Sequence, residues 1–176
     1  MKKLHSIEKG YDILSGTNLI HNSFKYGKNL KIGDFCIIEE GVVVGDNVEI
    51  QNYVLLKKGT KIGDNCYVDS YFRSSGDNYI GNGVTLRFGS TIARKVNVGN
   101  NVFIAPNVMT VYSLPDGTKS EGTFIGDDCF IGTAVVLAPN ISIVVGSIIG
   151  ANSFVNSSIE ERGIYVGNPA KLIKKI

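Results

Sequence analysis

Nine consecutive residues carry much of the chemistry legible in this chain: Tyr71-Phe72-Arg73-Ser74-Ser75-Gly76-Asp77-Asn78-Tyr79. Asp77 is a carboxylate that can take a proton from a nucleophile or orient it, and Asn78 beside it can donate and accept hydrogen bonds. Arg73, with Arg87 and Arg94 further on, supplies planar guanidinium groups that suit a pyrophosphate or an acidic sugar. A second set, Tyr112, Asp116, Lys119 and Glu121, follows later, with Glu121 an alternative base. Plain readings compete with these. Asp77-Asn78 is a turn pair like Asp64-Asn65, and arginines also make subunit salt bridges or solvated edges.

The pattern that must position these groups has a period of six. Counting from Ile32, the opening position returns at Ile38, Val44, Ile50, Leu56, Ile62, Val68, Ser74, Ile80, Leu86, Ile92, Val98 and Ile104, twelve steps without a slip in which only Ser74 is polar. A small or branched residue sits four places after most of them, and turn residues recur between, as in Gly45-Asp46-Asn47 and Gly63-Asp64-Asn65. Heptads and helical solenoids have longer periods. Six is the period of a β-helix, whose short parallel strands stack coil on coil. Val and Ile suit its strands, and Gly, Asn and Asp its turns.

Backwards from Ile32, Tyr26, Ile20 and Leu14 keep weaker phase, so the repeat begins near residue 14. It breaks after Met109 and resumes at Ile125, Ile131, Leu137, Ile143, Ile149 and Val155, near residue 159 at its end. Thr110 to Phe124 therefore reads as a fifteen-residue insertion bearing the turn Pro115-Asp116-Gly117. That is long for a passive connection. Three hexads per coil, with the insertion discounted, put residues 74, 92 and 125 on one face. Arg73, Asp77, Asn78, Arg87 and Arg94 are then expected to converge near one cleft. Ser74, Phe72 and Asn78 break the repeat locally, and local rule-breaking often marks function.

The same arithmetic puts Cys36, Cys66 and Cys129, each fifth in its hexad, on three different faces as buried thiols, with no disulfide or metal cluster expected. The chain has 176 residues, is 43% hydrophobic and carries a formal charge of +2, which fits one domain with a continuous core and gives no bias toward nucleic acid. Met1-Lys2-Lys3 precedes a stretch too polar for a signal peptide, and no segment is long and apolar enough to span a membrane. A cytoplasmic protein is expected. From Asn168, a helix cap followed by Pro169 and an alternation of Leu172, Ile173 and Ile176 with Lys171, Lys174 and Lys175 predicts a short helix over 168–176.

The in-phase repeat, the loop after Asn107-Val108-Met109 and the ending Gly163-Ile164-Tyr165-Val166-Gly167-Asn168-Pro169-Ala170-Lys171-Leu172-Ile173 resemble the hexapeptide-repeat acyltransferases, in the branch that acetylates sugars, antibiotics and nucleotide-linked amino sugars. The resemblance implies an all-β fold, a left-handed parallel β-helix of about seven coils with one protruding loop (110–124) and the terminal helix. It also implies acetyl-CoA as co-substrate, no required metal, and a homotrimer with a site in each cleft between neighbouring prisms. Carried over residue by residue, cofactor contacts fall on Thr133 and Ala134, on Ala151, on Lys171 and Lys174 near the phosphates, and on Asn156 of Asn156-Ser157, where relatives often have Thr-Lys. For the lysines, a solvated helix end is the plain alternative.

In many such relatives a His on or beside the loop takes the acceptor's proton, and in the sugar and antibiotic O-acetyltransferases it stands just before a Pro. Here Leu114 holds that place, and the histidines are His5 and His21. Five coils separate His21 from the loop, roughly 24 Å at the spacing of stacked strands. A γ-class carbonic anhydrase, which shares the fold, needs three His ligands and is disfavoured. A sugar hydroxyl gains much from a positioned base, whereas an amine with a pKa of about 8 already has a useful neutral fraction. The expected activity is therefore acetylation of an amino sugar, nucleotide-linked, with Asp77 as base or orienting group and Arg73, Asn78, Arg87, Arg94 and Tyr112 on the acceptor. O-acetylation of a saccharide by a carboxylate base and a non-catalytic trimer stay open.

Overall fold

The computed structural model describes residues 11–12, 17–114 and 116–176. His5, Leu14 and Pro115 lie outside the described residues. Each hexad gives a strand of two residues whose second side chain points inward, as in Ile37–Ile38, Leu55–Leu56 and Arg73–Ser74. A turn follows, and the small fifth residue points inward again. Aliphatic residues at both positions fill the prism: Ile38, Leu56, Ile80, Leu86, Ile104 and Ile131 are fully buried. Full burial of each such side chain favours folding by about 1.5–3 kcal/mol.

The strands stack in parallel into three sheets, here faces A, B and C, of a left-handed β-helix. Face A runs from Leu19–His21 to Phe154–Val155, face B from Lys25–Tyr26 to Ser142–Ile143, and face C from Lys31–Ile32 to Gly163–Val166. Faces A and C have eight parallel strands each, so there are eight coils rather than about seven. The pair Tyr11–Asp12 adds antiparallel to face A at one end.

Each turn must use the left-handed backbone region, which Asn and Gly tolerate best. At the B–C corner that residue is Asn29, Asn47, Asn65, Asn101 and Asp128 in successive coils, with Gly83 between. Side chains one place earlier tie coil to coil there: the backbone N–H groups of Asp46, Asp64, Asn82 and Asn100 donate to Asp64, Asn82, Asn100 and Asp127. At the C–A corner Phe35, Tyr53 and Tyr71 take the left-handed position, and their rings stack 5.0 and 4.9 Å apart.

The bounds of the insertion, and everything phased from them, are corrected. Thr110 is an ordinary inward residue of face A, in the strand Met109–Thr110, and the chain rejoins the repeat on face B at Thr123–Ile125. Val98 pairs with Ile125, 27 residues on, where the preceding coils take 18, so the insertion adds nine residues, not fifteen. Polar Thr110 hid its own phase. Every hexad after the loop consequently lies one face further round than the discounting put it, and residue 125 does not share a face with 74 and 92. Cys66 and Cys129 then fall on the same B–C corner, three coils apart, while Cys36 is at the C–A corner. All three are buried and free.

The helix expected over 168–176 is a strand, Lys171–Lys175, antiparallel to Gly163–Val166. The chain reverses over 167–170, which contains a cis Asn168–Pro169 bond. A helix this short is not stable alone, whereas the open edge of face C offers a row of backbone partners. No helix among the described residues is long and apolar enough to cross a membrane.

Candidate active site

The irregular stretch 71–79 crosses the A–B corner, and its polar departures have an internal role. The Ser74 hydroxyl donates to Asn78 Oδ1 at 2.7 Å and is hydrogen-bonded to the Thr60 hydroxyl. The Gly76 N–H donates to both Ser74 Oγ and Asn78 Oδ1, and the Asn78 amide donates to the Ala93 carbonyl. One coil on, the Ala93 N–H donates to Thr110 Oγ1 at 2.6 Å. Asn78 is 2% exposed. Its expected place on the acceptor is thus corrected: its side chain lies inside the prism and fixes the backbone at Gly76 and Ala93, next to Asp77 and Arg94.

Asp77 itself faces solvent, in the left-handed region at φ 48°. Its carboxylate stands 3.6 Å from Arg94, both side chains about half exposed. The carboxylate opens on a hollow lined by Gly59, Lys61, Tyr79 and Asn97 on the face B side. Along this corner charges alternate from coil to coil: Glu40 with Lys58 at 2.7 Å, Asp77 with Arg94, and Lys95 with Glu121 at 3.9 Å. The Lys58 ammonium holds the Glu40 carboxyl below its ordinary range.

The loop, residues 111–122, leaves from this same corner and is a formed hairpin. Ser113 bridges Lys119, the Leu114 N–H donates to the Thr118 carbonyl, and the Ser120 N–H to that of Tyr112. Asn140, in the following coil, accepts from the Ser120 hydroxyl and the Glu121 N–H. Tyr112 is half-buried against the core at the hairpin's base. Glu121 is 93% exposed on its pairing with Lys95.

The remaining predicted residues are scattered. Arg73 lies on face A, next to Thr91, at the other side of the A–B corner from Asp77's hollow. Arg87 lies at the C–A corner, 3.5 Å from Asp69 and 5.8 Å from the Tyr67 ring centre, and does not join Asp77 and Arg94. Thr133, Ala134 and Ala151 share the C–A corner in the last coils, where the Asn152 N–H donates to the Thr133 carbonyl. Lys171 and Lys174 are exposed on the terminal strand, which starts at that corner. Asn156 sits at the A–B corner instead, exposed.

Within one chain the structure thus brings together Asp77, Arg94 and the hairpin, and separately the candidate cofactor residues other than Asn156, on opposite edges of face A. Lys61, Asn97 and Asn140 were missed from sequence. The signal was available, since each is an outward or turn residue one coil or so from a residue already singled out. Among the described residues, no three His, Cys, Asp or Glu gather as a metal site.

Residues 14–114 match the family model described as the GMPPB C-terminal domain. The chain is 32% identical over 177 residues to a Lysinibacillus sphaericus protein named Probable macrolide acetyltransferase, covering 97% of this chain and 71% of that one. It is 33% identical over 115 residues to the galactoside O-acetyltransferase of Escherichia coli, covering 58% of this chain and 57% of that protein. The chain spans about half the length of several curated relatives it matches. LpxA, a UDP-N-acetylglucosamine acyltransferase from Bacteroides fragilis, shares the fold with a TM-score of 0.70 at 21% identity, over 91% of this chain and 73% of its own.

Proposed function

This chain belongs over residues 14–114 to the family of the GMPPB C-terminal domain and as a whole to the hexapeptide-repeat acyltransferases, and we propose that it transfers acetyl from acetyl-CoA to the amine of a nucleotide-linked amino sugar. The observation that carries this reading is the corner itself. The hairpin leaves the prism one coil beyond the Asp77–Arg94 pair, and the residue before its proline is Leu114, not His. Asp77 is then the carboxylate placed to orient the amine.

The amine's lone pair attacks the thioester carbonyl, a C–N bond forms, and the C–S bond breaks as coenzyme A leaves. The nitrogen's surplus proton passes to Asp77 or water and then to the departing sulfur. Holding the two substrates together supplies much of the rate, because the amine needs little activation. Thr133, Ala134, Ala151, Lys171 and Lys174 are assigned to acetyl-CoA, and Arg94 and Tyr112 to the acceptor's surroundings. Because the two sets lie on opposite edges of face A, a complete site requires a second copy. We assign the assembly as a homotrimer with a site in each cleft.

Calorimetry with acetyl-CoA, followed by thiol release with nucleotide-linked amino sugars, tests the reading. Binding with turnover on amines supports it, and absence of CoA-ester binding leaves a structural trimer. O-acetylation is the second reading, favoured by the likeness to the galactoside O-acetyltransferase of Escherichia coli. A product that loses acetate in mild alkali would establish it over the amide.

A further inference from the structure

We propose that Arg73 and Lys57 form a diphosphate-binding site on face A, at the A–B corner. The chain has four arginines. Arg87 and Arg94 face the carboxylates of Asp69 and Asp77, and Arg162 donates to the Gly146 carbonyl. Arg73, exposed on its strand, has no anionic partner among the described residues, and neither has Lys57, although Lys58 next to it pairs with Glu40.

Both cations line one hollow of about 370 Å³ with Leu55, Ser75, Thr91 and Met109. The register explains how they meet. Leu55, Arg73 and Thr91 are directly stacked outward residues of successive coils, and Lys57 stands two places after Leu55, as Ser75 does after Arg73. Gly76, at φ 97°, lets the two coils approach closely behind the hollow: a Cβ there would lie 2.7 Å from the Lys58 carbonyl oxygen and 3.5 Å from Lys57 Cβ. A guanidinium, an ammonium and the hydroxyls of Ser75 and Thr91 make a set of donors for clustered oxyanions, with Leu55 and Met109 as apolar ends. The outward register of face A otherwise reads Ile37, Leu55, Thr91, Met109, Val136 and Phe154, so Arg73 is the one charged residue in it from Leu19 to Phe154.

The site deepens the acceptor reading above and rests on it. Arg73 and Asp77 are four residues apart, which bounds their Cα separation at about 14 Å. A single ligand can place its amine at Asp77 and its diphosphate on face A.

The test titrates inorganic pyrophosphate and, separately, acetyl-CoA into the wild-type protein and into Arg73→Gln and Lys57→Gln. Both side chains are exposed, so folding should be unaffected, and circular dichroism with the melting temperature checks this. Saturable pyrophosphate binding that weakens about tenfold in either variant, with acetyl-CoA affinity unchanged, is the expected result. Unsaturable binding in the wild type, or equal binding in the variants, overturns the site. Weakened acetyl-CoA binding instead assigns the cations to the phosphates of coenzyme A and overturns the proposal. An altered oligomeric state with unchanged pyrophosphate binding makes Arg73 an interface charge and does the same. Loss of acetyl-CoA binding by the wild type defeats the transferase reading while leaving the pyrophosphate result to stand or fall alone.

Discussion

The carboxylate of Asp77 and the guanidinium of Arg94 face each other at 3.6 Å across adjacent coils, at the corner where the hairpin leaves the prism. An exposed pair of this kind contributes at most about 1 kcal/mol to stability. Asp77→Asn is therefore expected to leave the melting temperature nearly unchanged. Turnover should fall by roughly 100-fold, as for loss of the group that orients the amine, with acetyl-CoA affinity retained. Steady-state kinetics beside calorimetry separate the two, and a fully active variant removes Asp77 from the site.

Under that pair, Asn78 obeys a different logic. The matching position elsewhere takes Val42, Val84 or Val96, all buried. Asn78→Val would make the hexad regular yet leave the Gly76 N–H, the Ser74 hydroxyl and the Ala93 carbonyl short of partners. Stability is expected to fall by about 2–3 kcal/mol, read from urea unfolding. An unchanged midpoint would mean that the buried network holds nothing.

How far the sequence discloses this molecule depends on which contacts repeat. The six-residue period exposes strands, corners and core because each inward residue answers to the same geometry, coil after coil. It fails at Thr110, whose hydroxyl is occupied by the Ala93 N–H and so could replace an aliphatic. It fails again at Lys171–Lys175, where pairing with a neighbouring strand outweighs helix signals at Asn168 and Pro169. The polar residues of 71–79 stand out against the repeat, but sequence could not tell an inward Asn78 from an outward Asp77. That distinction depends on which residue takes the left-handed turn position.

The revised phase has a chemical consequence for the cysteines. Cys66 and Cys129 share a corner three coils apart, about 14 Å at strand spacing, beyond the roughly 7 Å between Cα atoms that a disulfide bridges. Burial pushes all three thiols above their ordinary range, against hydrogen bonds that pull the other way. A thiol reagent at neutral pH is expected to label none of Cys36, Cys66 and Cys129 in the folded protein and all of them in denaturant. Labelling of the native state at the denatured rate would contradict the burial.

At the hairpin tip, the Thr118 N–H donates to Asp116 Oδ1 at 2.8 Å and holds that carboxyl below its ordinary range. A lowered folded value means the contact favours the folded hairpin fully above the unfolded value, and the contribution disappears as pH falls through the lowered one. The carboxyl carbon shift of Asp116 should accordingly titrate at a lower pH than in a short peptide of the same residues. A midpoint at or above the peptide's would rule the contact out in solution.

For Lys171 and Lys174, proposed above to contact acetyl-CoA, the terminal strand gives the prediction its form. Both are exposed on a terminal strand anchored by pairing with Gly163–Val166, so replacing them with Gln removes charge without removing backbone hydrogen bonds, and the fold should persist. Neither shows an anionic partner among the described residues, whereas Lys175 pairs with Glu161. The free charges are available to a phosphate, and the attraction at an exposed site is screened by salt. The double variant is expected to bind acetyl-CoA several-fold more weakly at low salt, with a shallower decline as salt is raised, because fewer ionic contacts remain to be screened. Lys175→Gln, which breaks an existing ion pair, serves as the control and should leave the salt dependence alone. If the double variant and the wild type fall on the same salt curve, the lysines protect the open sheet edge from further pairing and have no part in cofactor binding.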